Sequence, residues 1–206
     1  MANELESMED GGSRSVYRQL FSLRDWTFVY GLPVTRRQFK RSDFCARPGF
    51  DYDLYQRTIF SALEEHILPW RANGLKAVLG ASSADYSRAL QGDRPVILFT
   101  HCSANLKQLE FRDGMISFRR VVGRVARDFR GLAEISACNP AGFDELLRQR
   151  APLCATKIAL QNLTARHWLL FYGFFLGQFA SAPASYAAAI HMTVNLKLPP
   201  AEGASP

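Results

Sequence analysis

A histidine and a cysteine each end an apolar run that is typical of a buried strand. His101 follows VILFT, and Cys138 follows LAEISA and precedes Asn139-Pro140. An imidazole beside a thiol can take the thiol proton, and the thiolate can then attack a carbonyl carbon. A free thiol has a pKa of about 8.5 and is mostly protonated at neutral pH, so a neighbouring base is needed to form the thiolate. If the two strands are neighbours, this pair predicts nucleophilic acyl transfer.

Each of these residues has a common structural role when it occurs alone. Cysteine often behaves as a small buried hydrophobe, and a histidine at a strand end is usually a satisfied polar group. Two such residues on adjacent strand ends are harder to explain in this way. The pair therefore favours chemistry, although its spacing alone is weak support.

The elements that must position the pair alternate between strands and helices. Short apolar runs predict strands over 76–81, 95–101, 131–137 and 153–160. Helical periodicity or caps predict helices over 51–68, from Ser83 to about Leu90, from a Ser117 cap through Phe129, over 143–150, over 164–179 and over 184–194. The Asp-Gly pair at 113–114 predicts a hairpin. This alternation is typical of an α/β sandwich with a mainly parallel central sheet and helices on both faces, with reactive groups at the carboxyl ends of its strands.

The length and composition predict one domain with short tails. The chain has 206 residues, of which 48% are hydrophobic, enough for one sizeable core. We expect residues 1–14 to be a disordered N-terminal tail and residues 196–206 a disordered C-terminal tail. Residues 15–75 are expected to form a helical or irregular part of the same domain, and residues 76–195 its core.

Several classes of protein do not fit the composition. The cysteines at 45, 102, 138 and 154 have no CxxC spacing, and the first residues lack a signal-peptide pattern. The longest apolar run, WLLFYGFFLG, is too short to span a bilayer. His66, His167 and His191 lack ligand-like spacing. We therefore expect a cytoplasmic protein without a membrane span, metal site or cofactor.

The net charge of +6 comes largely from arginine, with two local groups of basic residues. They lie at Arg36, Arg37, Lys40 and Arg41, and at Arg119, Arg120, Arg124, Arg127 and Arg130. The second group alternates with apolar residues, so a solvated helix face is its simplest interpretation. An acidic partner or a nucleic acid remains an alternative, but a nucleic-acid site usually adds exposed aromatic residues.

The stretch from Lys76 to Met192 carries an ordered set of short motifs. They are Thr100-His101, Asp113-Gly114, Ser136-Ala137-Cys138, Phe171-Tyr172 and Ala187 to Ala189. In this order and spacing the chain resembles the CHAT domain family of caspase-like cysteine peptidases. The resemblance implies a caspase-like three-layer sandwich with a hairpin after the histidine strand.

The resemblance also implies roles for single residues. His101 would be the general acid/base and Cys138 the nucleophile, and the backbone N–H groups of Cys138 and Ser103 would hold the oxyanion. The implied activity is regulated cleavage of a protein partner, aided by a regulatory subunit or by the N-terminal residues. Two positions depart from the family pattern, since Cys102 replaces a glycine and Asn139-Pro140 replaces small residues.

The pocket that selects a substrate residue is open to more than one assignment. Asp85 and Asp113 are the acids nearest the motifs and are candidate pocket residues. Their alternatives are local, since Asp85 suits the first turn of a helix and Asp113 suits a tight turn. Cys102 is either a packing residue or a second thiol that could form a disulfide with Cys138.

Two other functions compete with a peptidase. One is a catalytically silent interaction module that keeps the fold and binds partners through its basic face. The other, weaker, is a nucleic-acid-binding protein, whose binding would fall steeply with added salt.

Overall fold

The computed structural model describes residues 16–103, 107–137, 140, 142–158 and 164–195. The ten strands in this part of the chain are β1 Leu20–Phe21, β2 Thr27–Tyr30, β3 Lys76–Leu79, β4 Val96–Phe99, β5 Cys102–Ser103, β6 Gln108–Phe111, β7 Gly114–Ser117, β8 Leu132–Ser136, β9 Ala155–Ile158 and β10 Ala184–Ser185. The tails expected at residues 1–14 and 196–206 lie outside the described residues.

Eight α-helical segments follow β1 in the described part of the chain. They are α1 Arg36–Phe39, α2 Tyr52–Tyr55, α3 Ser61–His66, α4 Ser83–Ala89, α5 Phe118–Val122, α6 Phe143–Arg150, α7 Ala165–Gly177 and α8 Tyr186–Val194. A π-helical stretch, Gln56–Phe60, joins α2 to α3. Three 3-10 turns lie at Leu23–Asp25, Asp43–Ala46 and Leu68–Asn73. None of the described helices has the length and apolar character needed to cross a membrane.

A five-stranded sheet of order β3-β2-β4-β8-β9 forms the centre of the fold. Every neighbouring pair in it is parallel. All four residues of β4 and all five of β8 are buried, as expected for strands that helices cover on both faces. The predicted hairpin is present as β6 and β7, and it forms a separate antiparallel sheet with β5.

Two apolar clusters cover the two faces of the sheet. On one face, Phe28 and Phe99 pack in a cluster that includes residues of α3, α7 and α8. On the other face, Val29 and Leu98 pack in a cluster that includes residues of α4, α5 and α6. Alternate residues of one strand thus enter different cores. The expected α/β sandwich with a parallel central sheet and helices on both faces is confirmed.

The segment expected to be helical or irregular, residues 15–75, also contains two strands that the sequence pattern missed, β1 and β2. Strand β2 lies in the middle of the sheet and pairs with both β3 and β4. It is only four residues long and all four residues are buried, so neither length nor alternation marks it as a strand. The sheet therefore needs residues from both parts of the chain.

Two of the predicted helices, α4 and α5, begin or end at different residues in the structure. The cap of α4 is Ser82 and not Ser83, because the Ser82 hydroxyl accepts from the Asp85 N–H at 3.2 Å while Asp85 accepts from the Ser82 N–H. Helix α5 keeps its Ser117 cap but ends at Val122, where Gly123 takes the C-cap position. Beyond it, Phe129 is still buried, but in irregular chain.

Candidate functional site

His101 leaves the sheet at the carboxyl end of β4. Strand β4 pairs with β8 in a register that sets Phe99 opposite Ser136. The pairing continues one residue further, since the Thr100 N–H donates to the Ser136 carbonyl at 3.0 Å. The segments that follow β4 and β8 therefore begin at the same edge of the sheet.

The predicted nucleophile, Cys138, and its neighbour Asn139 lie outside the described residues. The described residues on either side are Ala137, which is half-buried, and Pro140, which is buried. The Pro140 carbonyl accepts from the Phe143 N–H at 2.9 Å, where α6 begins. Pairing of Cys138 with His101 therefore stays a prediction, as does its role in the oxyanion site.

Three residues from one short segment surround the His101 side chain. The carboxylate of Asp43 lies with Oδ2 at 2.9 Å from Nε2, and the Nη2 atom of Arg47 lies at 3.5 Å from the same nitrogen. The ring of Phe44 packs on the imidazole with centroids 5.5 Å apart. As a result, the His101 side chain is only 12% exposed.

Burial and charge set the protonation of the imidazole. Burial lowers the pKa of His101, and the nearby Arg47 guanidinium lowers it further, while the Asp43 carboxylate opposes both. The net direction is downward, so the imidazole is mostly neutral at pH 7. A neutral imidazole can accept a proton, as a general base must.

Glu110 is a buried acid next to this group. Its Oε1 atom accepts from the Asp43 N–H at 3.2 Å, and its own N–H donates to the His101 carbonyl at 2.9 Å. Its Oε2 atom is buried and has no hydrogen-bond partner among the described residues. Burial and the Asp43 carboxylate raise the pKa of Glu110 to about 7, against smaller lowering by the Asp43 N–H and Arg47.

The proposed oxyanion donor Ser103 lies just past His101 in β5. Ser103 faces Gln108 of β6 across the antiparallel pair and is half-buried. Cys102, which replaces the glycine of the family pattern, is 4% exposed and belongs to the same core cluster as Leu109. Its disulfide with Cys138 stays a prediction, since Cys138 is not among the described residues.

The two acids predicted for a substrate pocket both engage neighbouring groups. Asp85 accepts from the N–H and hydroxyl of Ser82 at 2.9 and 2.7 Å, and these bonds lower the pKa of Asp85. Asp113 accepts from the N–H and hydroxyl of Ser83 at 2.8 and 2.6 Å. Asp85 thus acts locally in the cap of α4, whereas Asp113 links the hairpin turn to Ser83, a residue distant in sequence.

An open cavity of about 260 Å³ lies at the carboxyl end of β2. Its walls are residues 31–33, which follow β2, and residues 110–114 of the hairpin, together with Gln38, Arg41 and Ser42. Asp113 belongs to this lining, whereas Asp85 does not. Since β2 and β4 are the strands at which the sheet order reverses, the cavity occupies the usual place of a ligand site in such sheets.

Sequence reasoning missed three residues of this group, namely Asp43, Arg47 and Glu110. Glu110 has a weak signal, because an acid between Leu109 and Phe111 is unusual in an apolar strand. Asp43 and Arg47 have none, since more than fifty positions separate them from His101. Among the described residues, no group of three or more His, Cys, Asp or Glu side chains could hold a metal ion.

Comparisons of the chain with protein-family models, with curated proteins and with solved structures gave no match.

Proposed function

We propose that this protein is a cytoplasmic cysteine endopeptidase with a caspase-like fold that cleaves a protein partner through His101 and Cys138. The observation that carries the proposal is the register of β4 and β8, which sets Phe99 opposite Ser136 in adjacent parallel strands. His101 comes two residues after Phe99, and Cys138 comes two residues after Ser136. The order of the strands and the hairpin after His101 also suit the caspase-like arrangement that the sequence resembles.

In the proposed reaction His101 takes the proton of the Cys138 thiol, and the thiolate sulfur attacks the carbonyl carbon of the scissile peptide bond. The carbonyl oxygen becomes an oxyanion, held by the backbone N–H groups of Cys138 and Ser103. The C–N bond then breaks, and His101 gives its proton to the leaving amine. Water, deprotonated by His101, attacks the thioester and releases the acid product and the thiol.

The electrostatics of His101 support the role of a base. Burial and Arg47 keep its pKa low, so the neutral imidazole is ready to accept the thiol proton. The cavity of about 260 Å³ supports a place for a substrate side chain, because its wall residue Ser42 directly precedes Asp43, which contacts the imidazole. A peptide lying along this edge of the sheet could reach both the cavity and the His101 imidazole.

The first experiment measures thiol reactivity without a substrate. Iodoacetamide labelling at pH 7 should modify Cys138 faster in the wild type than in His101→Ala, because the imidazole promotes the thiolate. His191→Ala, which removes an exposed histidine of α8, is the control and should leave the Cys138 rate unchanged. Equal Cys138 rates in the two proteins would contradict a His101–Cys138 dyad.

The second experiment measures cleavage of candidate partners encoded beside this protein. The wild type should cut a partner, whereas Cys138→Ala and His101→Ala should not, and His191→Ala, at an exposed position of α8, should retain activity. Product masses would identify the residue before the cut. Cleavage that persists in Cys138→Ala would contradict the proposed mechanism.

A second candidate function, a silent interaction module, has one observation in its favour. Arg119, Arg120, Arg124, Arg127 and Arg130 are all exposed, while the apolar residues between them are buried. This row of positive charge could bind an acidic partner. If Cys138→Ala binds a partner as the wild type does, and the wild type never cleaves it, the module is favoured. Binding that survives Arg119→Glu would then count against this face.

A further inference from the structure

The segment Asp43–Ala46, with Arg47 after it, forms a cap over the His101 ring. Asp43 and Arg47 both approach Nε2, at 2.9 and 3.5 Å. The Arg47 guanidinium also stacks on the Phe44 ring, 4.6 Å from its centroid. Asp43 and Arg47 are the hydrogen-bonding partners of Nε2 in the described part of the chain. The orientation of the ring is therefore set from the N-terminal part of the chain.

The two charged groups at Nε2 favour different protonation states of that nitrogen. The Asp43 carboxylate can only accept a hydrogen bond, so it needs Nε2 to carry hydrogen. The Arg47 guanidinium can only donate, so it needs a lone pair on Nε2. The carboxylate contact is 0.6 Å shorter, and an ionised acceptor makes the stronger hydrogen bond, so it determines the tautomer. In the neutral ring the lone pair is then on Nδ1.

Glu110 holds both partners of this contact in place. Its backbone N–H donates to the His101 carbonyl at 2.9 Å, and its Oε1 accepts from the Asp43 N–H at 3.2 Å. Glu110 is 3% exposed and lies in β6, which the hairpin partner β7 stiffens. One residue thus fixes the distance between the chain segments that carry the carboxylate and the imidazole.

We propose that Asp43 is a positioning residue for His101, and that Glu110 braces the pair. Asp43 accepts the Nε2 hydrogen, which leaves Nδ1 as the atom that takes a proton. When Nδ1 is protonated, the imidazolium is paired with the Asp43 carboxylate. The role of Nδ1 as the base toward Cys138 rests on the proposed function, whereas the orientation of the ring by Asp43 does not.

The test uses the full chain labelled with ¹⁵N-histidine, with the His101 signals assigned from their loss in His101→Asn. The wild-type shifts should show hydrogen on Nε2 and none on Nδ1 at high pH. Asp43→Ala should mix the tautomers and lower the pKa of His101, because the carboxylate favours the charged ring. Arg47→Ala should raise the same pKa, because the guanidinium opposes that charge.

The opposite signs of these two variants separate electrostatic positioning from simple loss of structure. The control is Asp53→Ala, which removes an exposed aspartate paired with Arg36 and should leave the His101 titration unchanged. Asp43→Asn, which keeps the size and the backbone N–H, replaces Asp43→Ala if the latter does not fold. A His101 titration and tautomer unchanged in the Asp43 variant would overturn the proposal.

The brace is tested at Glu110. Glu110→Gln keeps an oxygen that can accept from the Asp43 N–H, so the His101 tautomer should stay as in the wild type. Glu110→Leu removes that acceptor and should shift the tautomer in the same direction as Asp43→Ala. If the two variants give the same His101 spectrum, Glu110 is not a brace.

Cleavage assays separate this inference from the proposed function. If the protein is a peptidase, Asp43→Ala should lower kcat on the order of tenfold to a hundredfold with little change in KM, since the base is misplaced. If the wild type cleaves no partner while the His101 titration responds as expected, the proposed peptidase is wrong and the positioning of His101 stands. Full kcat in a variant with altered tautomer would overturn the link to catalysis.

Discussion

At the scale of single residues, Glu110 is a buried acid whose environment differs clearly from water. Burial is the main cause of its raised pKa, which lies at about 7 against an ordinary value of 4.5. Below pH 4.5 this acid is protonated in both the folded and the unfolded chain. Between pH 4.5 and 7 the acid ionises in the unfolded chain but stays protonated in the folded chain, so the folded state loses stability until the pH has passed 7.

Glu110→Gln should remove this pH dependence, because an amide cannot ionise. Between pH 4.5 and pH 8, the free energy of unfolding of the wild type should fall relative to Glu110→Gln by on the order of 3 kcal/mol. Urea denaturation across this range measures the difference, and Glu64→Gln, at an exposed position, is the control. Parallel curves for the wild type and Glu110→Gln would contradict the raised pKa.

A second buried acid, Glu134, depends on two tyrosines. The hydroxyl of Tyr172 donates to Oε1 at 3.1 Å, and the hydroxyl of Tyr186 donates to Oε2. Tyr186→Phe should destabilise the fold by about 1–3 kcal/mol, because it leaves a buried carboxyl oxygen without its donor. Tyr52→Phe removes a hydroxyl that bonds to no described residue and should cost much less by thermal or urea unfolding. Equal losses would show that the Glu134 contact contributes little.

At the scale of elements, the predictable parts are those whose signals are local. Ser117 caps α5, Thr164 caps α7 and Gly114 ends the hairpin turn with a φ of +103°, and each of these residues carries its own signal. The four residues of β2 have high β-propensity, but so short an apolar run is ambiguous in sequence, and only its pairing with β3 and β4 places it in the sheet. The contact of Asp43 with His101 was also unpredictable, since tertiary packing alone brings the two together.

The packing of β2 against the hairpin and the start of the His101 segment leaves no room at Gly31. A Cβ atom there would lie 2.7 Å from the Thr100 Oγ1 and 2.8 Å from the Glu110 carbonyl oxygen. Gly31→Ala should therefore cost about 1–3 kcal/mol in urea unfolding, because one of the close contacts is backbone.

The matched control for Gly31→Ala is Gly177→Ala in α7. Its added Cβ meets only the edge of the Trp70 ring, at 3.1 Å, and alanine favours a helix. This variant should lose less stability than Gly31→Ala or gain some. A Gly31→Ala protein as stable as the wild type would show that β2 and the hairpin can separate freely, which would weaken the view that β2 supports the site.

At the scale of the whole molecule, the site is assembled from distant parts of one chain. Asp43 and Arg47 come from the N-terminal part, His101 from the end of β4, and Glu110 from the hairpin. The aromatic cluster on one face of the sheet likewise joins Trp26 and Phe28 to Phe175 of α7. A boundary near residue 75 would therefore divide the site and one core.

This organisation predicts that residues 76–206 cannot fold alone. Without β2, strand β3 loses the strand it pairs with, and β4 loses one of its two partners. The core would also lose Trp26, Phe28 and Tyr30, all fully buried. The fragment should show a poorly dispersed ¹H–¹⁵N spectrum beside the full chain, and adding residues 1–75 in trans should restore dispersion. A dispersed spectrum from the fragment alone would mean that β3 and β4 pair directly, and that the N-terminal part is dispensable for the sheet.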